Sequence, residues 1–229
     1  MTAPIKLISS MATRQVLADL IAQFQPAFGQ AIETEAVGGI DAARRVRAGE
    51  SFDLVVLASN VIDDLIADGM LLPQSRVDLV RSGIAVAIPA GSPRLPIDSE
   101  AAVRHAVEGA RSLAYSTGPS GTHLAQLFDR WGIADSVAAR LVRPLPGVPV
   151  ASLLVEKKVE LGFQQASELM NVPGVDVLGP LPPSIQALTT FSAGICATSA
   201  EAHTARALLE LLASPAAAAA KIRNGMEPV

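Results

Sequence analysis

The sequence predicts an α/β protein of two lobes, and three observations support this prediction. Short apolar segments of strand length alternate with segments of helical periodicity, which is the pattern of mainly parallel sheets flanked by helices. A break rich in Gly, Pro and Ser at 90–98 follows a strand-like segment that begins at Gly83, and a second set of alternating elements starts there. The 229 residues, half of them hydrophobic, suffice for two lobes of roughly 100 residues each.

The first lobe is predicted as strand, helix, strand, helix, strand and helix. Apolar residues recur at helical spacing from Val16 to Phe28, and Gly49 is placed to end the second helix. The run Asp53–Ala58 is almost wholly apolar, as in a strand buried on both faces. The predicted strands are Ile5–Ser9, Ile32–Val37 and Asp53–Ala58, and the predicted helices are Ala12–Phe28, Asp41–Ala48 with Asp41 as its N-cap, and one capped by Ser59 or Asn60.

The second lobe repeats the alternation, and the chain then ends in Ala-rich helices. The polar turn Ser116–Gly121 joins a strand to a helix with Leu124, Phe128 and Trp131 on one face. The predicted strands are Gly83–Pro89, Ser112–Ser116, Val159–Gln164, Val175–Leu178 and Leu188–Ala197, and the predicted helices are Ser99–Gly109, the segment after Gly121, Ala151–Glu156, Glu201–Leu212 and Pro215–Asn224.

Composition excludes several kinds of partner. The net charge is -4 and no run of Lys or Arg exceeds two residues, so neither nucleic acid nor an anionic membrane surface is expected as a partner. Aromatic residues make up only 3%, which favours a small polar ligand over a sugar or a peptide. Cys196 stands alone among small and apolar neighbours and is predicted to be a buried core residue.

The first residues lack the pattern of a secretory signal, and no stretch is long and apolar enough for membrane insertion. The sequence as written is therefore expected to be cytoplasmic, and periplasmic if a leader has been removed.

Three strand-to-helix turns carry the small residues that let an anion approach the start of a helix. In parallel sheets such turns meet at the carboxyl ends of the strands, where helix N-termini attract negative charge. Ordinary capping is the alternative for each turn taken alone. The candidate ligand contacts in these turns and at the neighbouring strand ends are Ser10, Met11, Ala12, Thr13, Arg14, Gly38, Gly39, Ser59, Ser116, Ser120 and Gly121.

Arg14 lies in the first turn of its helix, where a cation opposes the helix dipole. An anionic ligand, held by the forked guanidinium, would explain this choice, and a surface ion pair is the alternative. At the end of an apolar strand, Gln164 and Gln165 are predicted to contact a polar ligand. His123 follows the Ser120 turn and is a candidate acid or base, with an ordinary structural hydrogen bond as its alternative. The histidines and the single cysteine show no metal-ligand spacing, so no metal and no cofactor is expected.

Read in order, these motifs resemble the periplasmic molybdate-binding proteins, the substrate-binding components of ABC transporters, which have the type II periplasmic-binding-protein fold. The resemblance covers essentially the whole chain and is carried by Ser9–Leu17, Gly38–Val55, Leu79–Pro89 and Ala207–Gly225. It implies two lobes joined by two crossing strands, with 1–82 and 187–229 in lobe 1, 83–186 in lobe 2, and the ligand cleft between them. It also implies a small anionic ligand, and an ABC permease or another protein that recognises the closed form.

This sequence departs from the family at three ligand positions. Serines that hold the oxyanion in the family align with Ala12 and Gly39, and a tyrosine aligns with Gln165. With Arg14 and Ser120, these changes favour a planar carboxylate over tetrahedral molybdate.

The sequence leaves two classes of function open. The first hypothesis is binding without chemistry, in which the lobes close on an organic carboxylate or an oxyanion, for transport or as a ligand sensor. The second is a cytoplasmic isomerase of unsaturated carboxylates with His123 as acid or base, because a known aconitate isomerase resembles the same family.

Overall fold

The computed structural model describes residues 3–145 and 147–229 and divides them into two compact units. Unit 1 contains the chain up to Ser82 together with Thr189–Val229, and unit 2 is Gly83–Leu188. Within the described ranges, no helix has both the length and the apolar character needed to cross a membrane.

Unit 1 is a sheet covered by helices on both faces. Its strands are β1 (Ile5–Ser10), β2 (Ile32–Val37), β3 (Leu54–Ala58), the first part of β4 (Val77–Pro89), almost all of β8 (Leu188–Ile195) and β9 (Glu227–Pro228). Its helices are α1 (Arg14–Phe28), α2 (Gly39–Arg47), α3 (Ser59–Ala67), α9 (Ala202–Ala213) and α10 (Ala218–Arg223). β1 pairs in parallel with β2 and β3, while β8 runs antiparallel to β3 and β9 antiparallel to β4.

Strand alternation divides the core of unit 1 between the two faces of this sheet. Leu7 packs with α1, α9 and α10 through residues such as Leu20 and Leu209. The next residue, Ile8, packs with α2 and α3 through Ala42 and Ile62. All five residues of β3 are buried, as its apolar sequence predicts.

Unit 2 is built in the same way around a smaller sheet. Its strands are the second part of β4, β5 (Leu113–Tyr115), β6 (Leu161–Gln165) and β7 (Val175–Pro180). Its helices are α4 (Glu100–Gly109), α5 (Pro119–Arg130), α6 (Ala134–Ala138), α7 (Val150–Val155) and α8 (Ala166–Leu169). β5 and β6 are parallel, whereas β4 runs antiparallel to both β6 and β7.

Alternate residues of β4 pack on opposite faces of the unit 2 sheet. Ile84 and Val86 pack on the side of α4 and α5, and Ala85 and Ala87 on the side of α7 and α8. β4 and β8 are also the strands in which the chain passes from one unit to the other, because the unit boundaries lie after Ser82 and after Leu188.

Three local predictions are corrected by the structure. α2 begins at Gly39 with Gly38 as its N-cap, so Asp41 lies in the first turn and does not cap the helix. Likewise α3 begins at Ser59 and is capped by Ala58. β4 begins six residues before the predicted Gly83, because its first part pairs with β9.

Candidate functional site

In unit 1, the carboxyl ends of three strands lie at one edge of the sheet. The parallel register places Ser10 of β1 beside Val37 of β2, and Ser9 beside Val56 of β3. The turns after these strands lead into the starts of α1, α2 and α3. The candidate contacts of unit 1 therefore belong to one edge, as the order of strands and helices predicts.

The hydroxyl groups of the turn after β1 are directed into the turn itself. Ser9 Oγ donates to the carbonyl oxygen of Ser10 at 3.3 Å, and Thr13 Oγ1 donates to the same oxygen at 3.1 Å. Because the Thr13 hydrogen is already used, the 3.4 Å contact between the Ser10 and Thr13 hydroxyls has Ser10 as its donor. All three hydroxyl hydrogens are thus satisfied locally, and this turn can offer an anion only backbone N–H groups and the side chain of Arg14.

Arg14 is the first residue of α1, and its side chain is exposed. Within residues 3–145 and 147–229 it forms no ion pair, and the first turn of α1 carries no acidic residue. The alternative that Arg14 pairs with a nearby acidic side chain is therefore not observed among the described residues. An exposed guanidinium without an ion pair favours an anion at this place.

Local packing does not require glycine at Gly38 and Gly39, the N-cap and the first residue of α2. A Cβ atom added at Gly39 would lie 4.0 Å from a methyl group of Leu57, and one at Gly38 would lie 3.7 Å from Asp41 Oδ2. Neither residue has a positive φ angle. A methyl group at either position would thus make ordinary van der Waals contacts. Ala12, half-buried Met11 and half-buried Ser59 belong to the same edge.

In unit 2, the start of α5 lies directly against the end of β5. A Cβ atom at Gly121 would fall 1.6 Å from the carbonyl oxygen of Ser116, so only glycine fits there. This close approach brings the hydroxyls of Ser116 and Ser120 to 2.7 Å from each other. Because β5 and β6 are parallel, the end of β6 at Gln165 belongs to the same edge of the unit 2 sheet.

The two adjacent glutamines of β6 differ in environment, although both are buried. Gln164 Oε1 accepts from the backbone N–H of Val150 at 2.9 Å, and its amide nitrogen donates to Glu168. The buried amide of Gln164 therefore has protein partners on both sides and needs no ligand to account for it. Gln165 points to the opposite face of β6, the face shared by Phe163.

His123 forms the structural hydrogen bond that the sequence left as an alternative. Its Nε2 lies 2.8 Å from the carbonyl oxygen of Ile185. Because a carbonyl oxygen only accepts, Nε2 carries a hydrogen, and in the neutral ring the lone pair is therefore on Nδ1. Any proton abstraction by this half-buried ring would therefore use Nδ1.

Gln186 was not singled out by sequence reasoning, yet it connects two important segments of unit 2. Its Oε1 accepts from the N–H of Ile84 at 2.8 Å, and its amide nitrogen donates to the carbonyl oxygen of Ile84 at 3.0 Å. The side-chain amide thus pairs with β4 as a residue of a neighbouring strand would. Gly83 leaves room for it, since a Cβ there would lie 3.0 Å from Gln186 Nε2. In the sequence, the sign of this role is that Gln186 is a polar residue close before the strand that begins at Leu188.

The described residues contain no cluster of His, Cys, Asp or Glu that could hold a metal ion. Cys196 is buried, as predicted, and burial, with a smaller effect of the Asp53 charge, raises the pKa of its thiol to about 12. A thiol with this pKa is unreactive near neutral pH.

Comparison with known proteins identifies the family. The family described as bacterial extracellular solute-binding protein matches residues 5–227. The chain belongs to this family. Solute-binding proteins of known structure have the same α/β fold, which confirms the predicted fold class. The periplasmic molybdate-binding protein of Azotobacter vinelandii superimposes with a TM-score of 0.82 at 19% identity, covering 97% of this chain and 98% of that one. The sulfate-binding protein of Mycobacterium tuberculosis gives 0.78 at 16% identity, covering 100% and 88%.

A closer sequence relative is an enzyme. The aconitate isomerase of a Pseudomonas species is 38% identical over 186 residues, which are 81% of this solute-binding protein and 71% of the isomerase. The resemblance to molybdate-binding proteins inferred from the motifs is thus confirmed at the level of family and fold, while the relative shows that a similar chain carries out chemistry on an organic tricarboxylate.

Proposed function

We propose that this solute-binding protein binds a small organic carboxylate. The observation that carries the proposal is Arg14, an exposed guanidinium at the start of α1 that has no ion pair within the described residues. A guanidinium binds a carboxylate with two parallel hydrogen bonds and binds a tetrahedral oxyanion such as phosphate in the same way, so Arg14 supports an anionic ligand and the choice of a carboxylate rests on the hydroxyl groups of unit 1.

The hydroxyl arrangement of unit 1 supports the same ligand class. Ser9, Ser10 and Thr13 direct their hydrogens into the turn, and positions 12 and 39, where the family's oxyanion-binding serines align, hold residues without hydroxyls. A tetrahedral oxyanion would therefore lack the hydroxyl donors that it has in the family. In unit 2, the proposed contacts are Ser116, the backbone of Ser120, and Gln165. Gln164, whose amide bonds to Val150 and Glu168, is not among them.

Titration calorimetry with trans-aconitate, a carboxylate suggested by the isomerase relative, tests the role of Arg14. We expect Arg14→Gln to weaken binding by about 10–100-fold, because a hydrogen-bonded charge pair contributes about 1.5–3 kcal/mol. Arg14→Lys should recover only part of the affinity. Arg44→Gln is the matched control, since Arg44 is exposed on α2 and pairs with Asp41. Equal affinities of wild type and Arg14→Gln would refute the proposal.

The partner of the loaded protein follows from the family. Solute-binding proteins deliver ligands to membrane permeases, and we propose an ABC permease that recognises the ligand-bound form. Binding of the loaded protein, and not of the empty one, to permease-containing membranes would support this partner.

The second candidate function is isomerisation of an unsaturated carboxylate, which the 38% identity to aconitate isomerase favours. The proposed acid or base is Nδ1 of His123, because Nε2 is engaged with Ile185. Proton NMR of trans-aconitate incubated with the protein tests this function directly.

Two variants separate chemistry from structure at His123. His123→Gln can keep a donor near Ile185 but has no titratable group, whereas His123→Ala loses both. If the ring transfers a proton, both variants lose turnover by about 10²-fold or more, and His123→Gln still binds trans-aconitate. If the wild type shows no turnover, or His123→Gln retains it, the isomerase proposal with this residue is wrong.

A further inference from the structure

The Ser116 and Ser120 hydroxyls form one hydrogen bond, and their different burial decides which of them donates it. The oxygens are 2.7 Å apart. Ser120 is 2% exposed, and within the described residues its hydroxyl has Ser116 as its hydrogen-bond partner. Ser116 is half-buried and therefore more exposed than Ser120.

Either hydroxyl could donate the hydrogen bond between Ser116 and Ser120. If Ser116 donated, the hydrogen of Ser120 would be buried without an acceptor, which costs the full desolvation of a polar group. If Ser120 donates, its hydrogen is satisfied and the Ser116 hydrogen is free to point outward. The second arrangement leaves no buried donor unpaired and is therefore the stable one.

We infer that Ser116 donates a hydrogen bond to the ligand carboxylate and that Ser120 is a positioning residue that orients and polarises the Ser116 hydroxyl. A hydroxyl oxygen that accepts one hydrogen bond becomes a stronger donor in the next. Because the pair presents a hydrogen to the ligand, it favours an ionised carboxylate over the protonated acid.

Gly121 makes this arrangement possible. Any side chain at this position would collide with the Ser116 carbonyl oxygen and push the first turn of α5 away from β5. Ser120 stands next to Gly121 in that turn, so the 2.7 Å contact depends on the close approach. Ser120 and Gly121 lie in the first turn of α5, where the N–H groups of an α-helix have no intrahelical partners.

The first test needs no ligand. We expect Ser116→Ala to lower the Tm by about 2–4 °C more than Ser120→Ala, because only the former leaves a buried donor unpaired while the latter leaves Ser116 in contact with water. The variant with both serines replaced by alanine should have a higher Tm than Ser116→Ala, because it has no hydroxyl left unpaired. Ser116→Thr keeps the hydroxyl and should have a Tm close to that of the wild type. A larger loss in Ser120→Ala than in Ser116→Ala would overturn the direction of the hydrogen bond.

The second test rests on the proposed function and uses trans-aconitate in calorimetry. We expect Ser116→Ala to weaken binding about tenfold or more, and Ser120→Ala only about two- to threefold. A greater loss in Ser120→Ala, or no loss in Ser116→Ala, contradicts the assigned roles. If the wild type binds no carboxylate, the proposed function fails, but the order of the Tm values still decides the direction of the hydroxyl pair.

Discussion

Replacement of Lys221 by methionine is expected to stabilise the protein. Lys221 lies on α10 and is 1% exposed, which is rare for a lysine. Burial lowers the pKa of its ammonium group, and within the described residues no charge or hydrogen bond opposes this effect. The neighbouring Ala217, Ala220 and Met226 belong to the apolar core of unit 1.

The expected gain follows from this environment. Loss of hydration around a polar group costs up to about 3 kcal/mol in proteins, and methionine retains most of the aliphatic volume of lysine without its charge. At about 2–4 °C per kcal/mol for a protein of this size, Lys221→Met should raise the Tm by roughly 2–12 °C. Lys221→Ala removes the same charge but leaves a cavity, so it should be less stable than Lys221→Met.

The pH dependence gives an independent check. Because the pKa of Lys221 is lower in the folded protein than in the unfolded chain, the unfolded chain binds more protons between the two values. The free energy of unfolding of the wild type therefore rises with pH between the folded pKa of Lys221 and its unfolded pKa of about 10.4. The advantage of Lys221→Met over wild type should shrink over the same range. Urea denaturation at several pH values measures both effects, and a variant no more stable than wild type, or an advantage that grows with pH, would refute the reasoning.

Three further predictions concern packing and reactivity. Gly121→Ala should cost about 3 kcal/mol or more in urea denaturation because of its backbone clash, whereas Gly39→Ala, whose added methyl group would make an ordinary contact with Leu57, should change stability by less than about 1 kcal/mol; equal effects would contradict the packing. Gln186→Leu should cost about 1–3 kcal/mol, because it removes the side-chain acceptor of the Ile84 N–H, whereas the Ile84 carbonyl oxygen keeps its bond from the Leu181 N–H; the exposed Gln126→Leu serves as the control and should stay near wild type. Cys196 should react with a thiol reagent at pH 8 only after denaturation, since its pKa is about 12; rapid labelling of the native protein would disprove its burial.

The fold could be predicted well where each segment carries its own signal. β3 is a continuous apolar run, and α5 combines an apolar face with a turn of Gly, Pro and Ser before it. The five-residue α6 was missed because it is too short to show a helical period. The first part of β4 was missed because Asp78 and Arg81 interrupt its apolar pattern, while its pairing with β9 lies far away in sequence.

The site could be predicted only at the level of its turns. The alternation of strands and helices is enough to bring three turns of unit 1 to one edge, because parallel strands share their direction. The orientation of each hydroxyl depends on distances of a few tenths of an ångström, as at Ser10 and Thr13. Gln164 and Gln165 are the same residue type at adjacent positions, and the partner of Gln164 is a backbone group in α7 that no local pattern indicates.

The measurement that tests the central claim most directly is a thermal-shift comparison of carboxylates with tetrahedral oxyanions. The panel contains trans-aconitate, citrate and succinate against molybdate, tungstate and sulfate, at matched ionic strength. A ligand at 100 times its dissociation constant adds about 2.7 kcal/mol, which raises the Tm by roughly 5–11 °C. We predict such a shift with at least one carboxylate, and none of comparable size with the oxyanions. Stabilisation by molybdate, tungstate or sulfate alone would contradict the assignment of a carboxylate ligand.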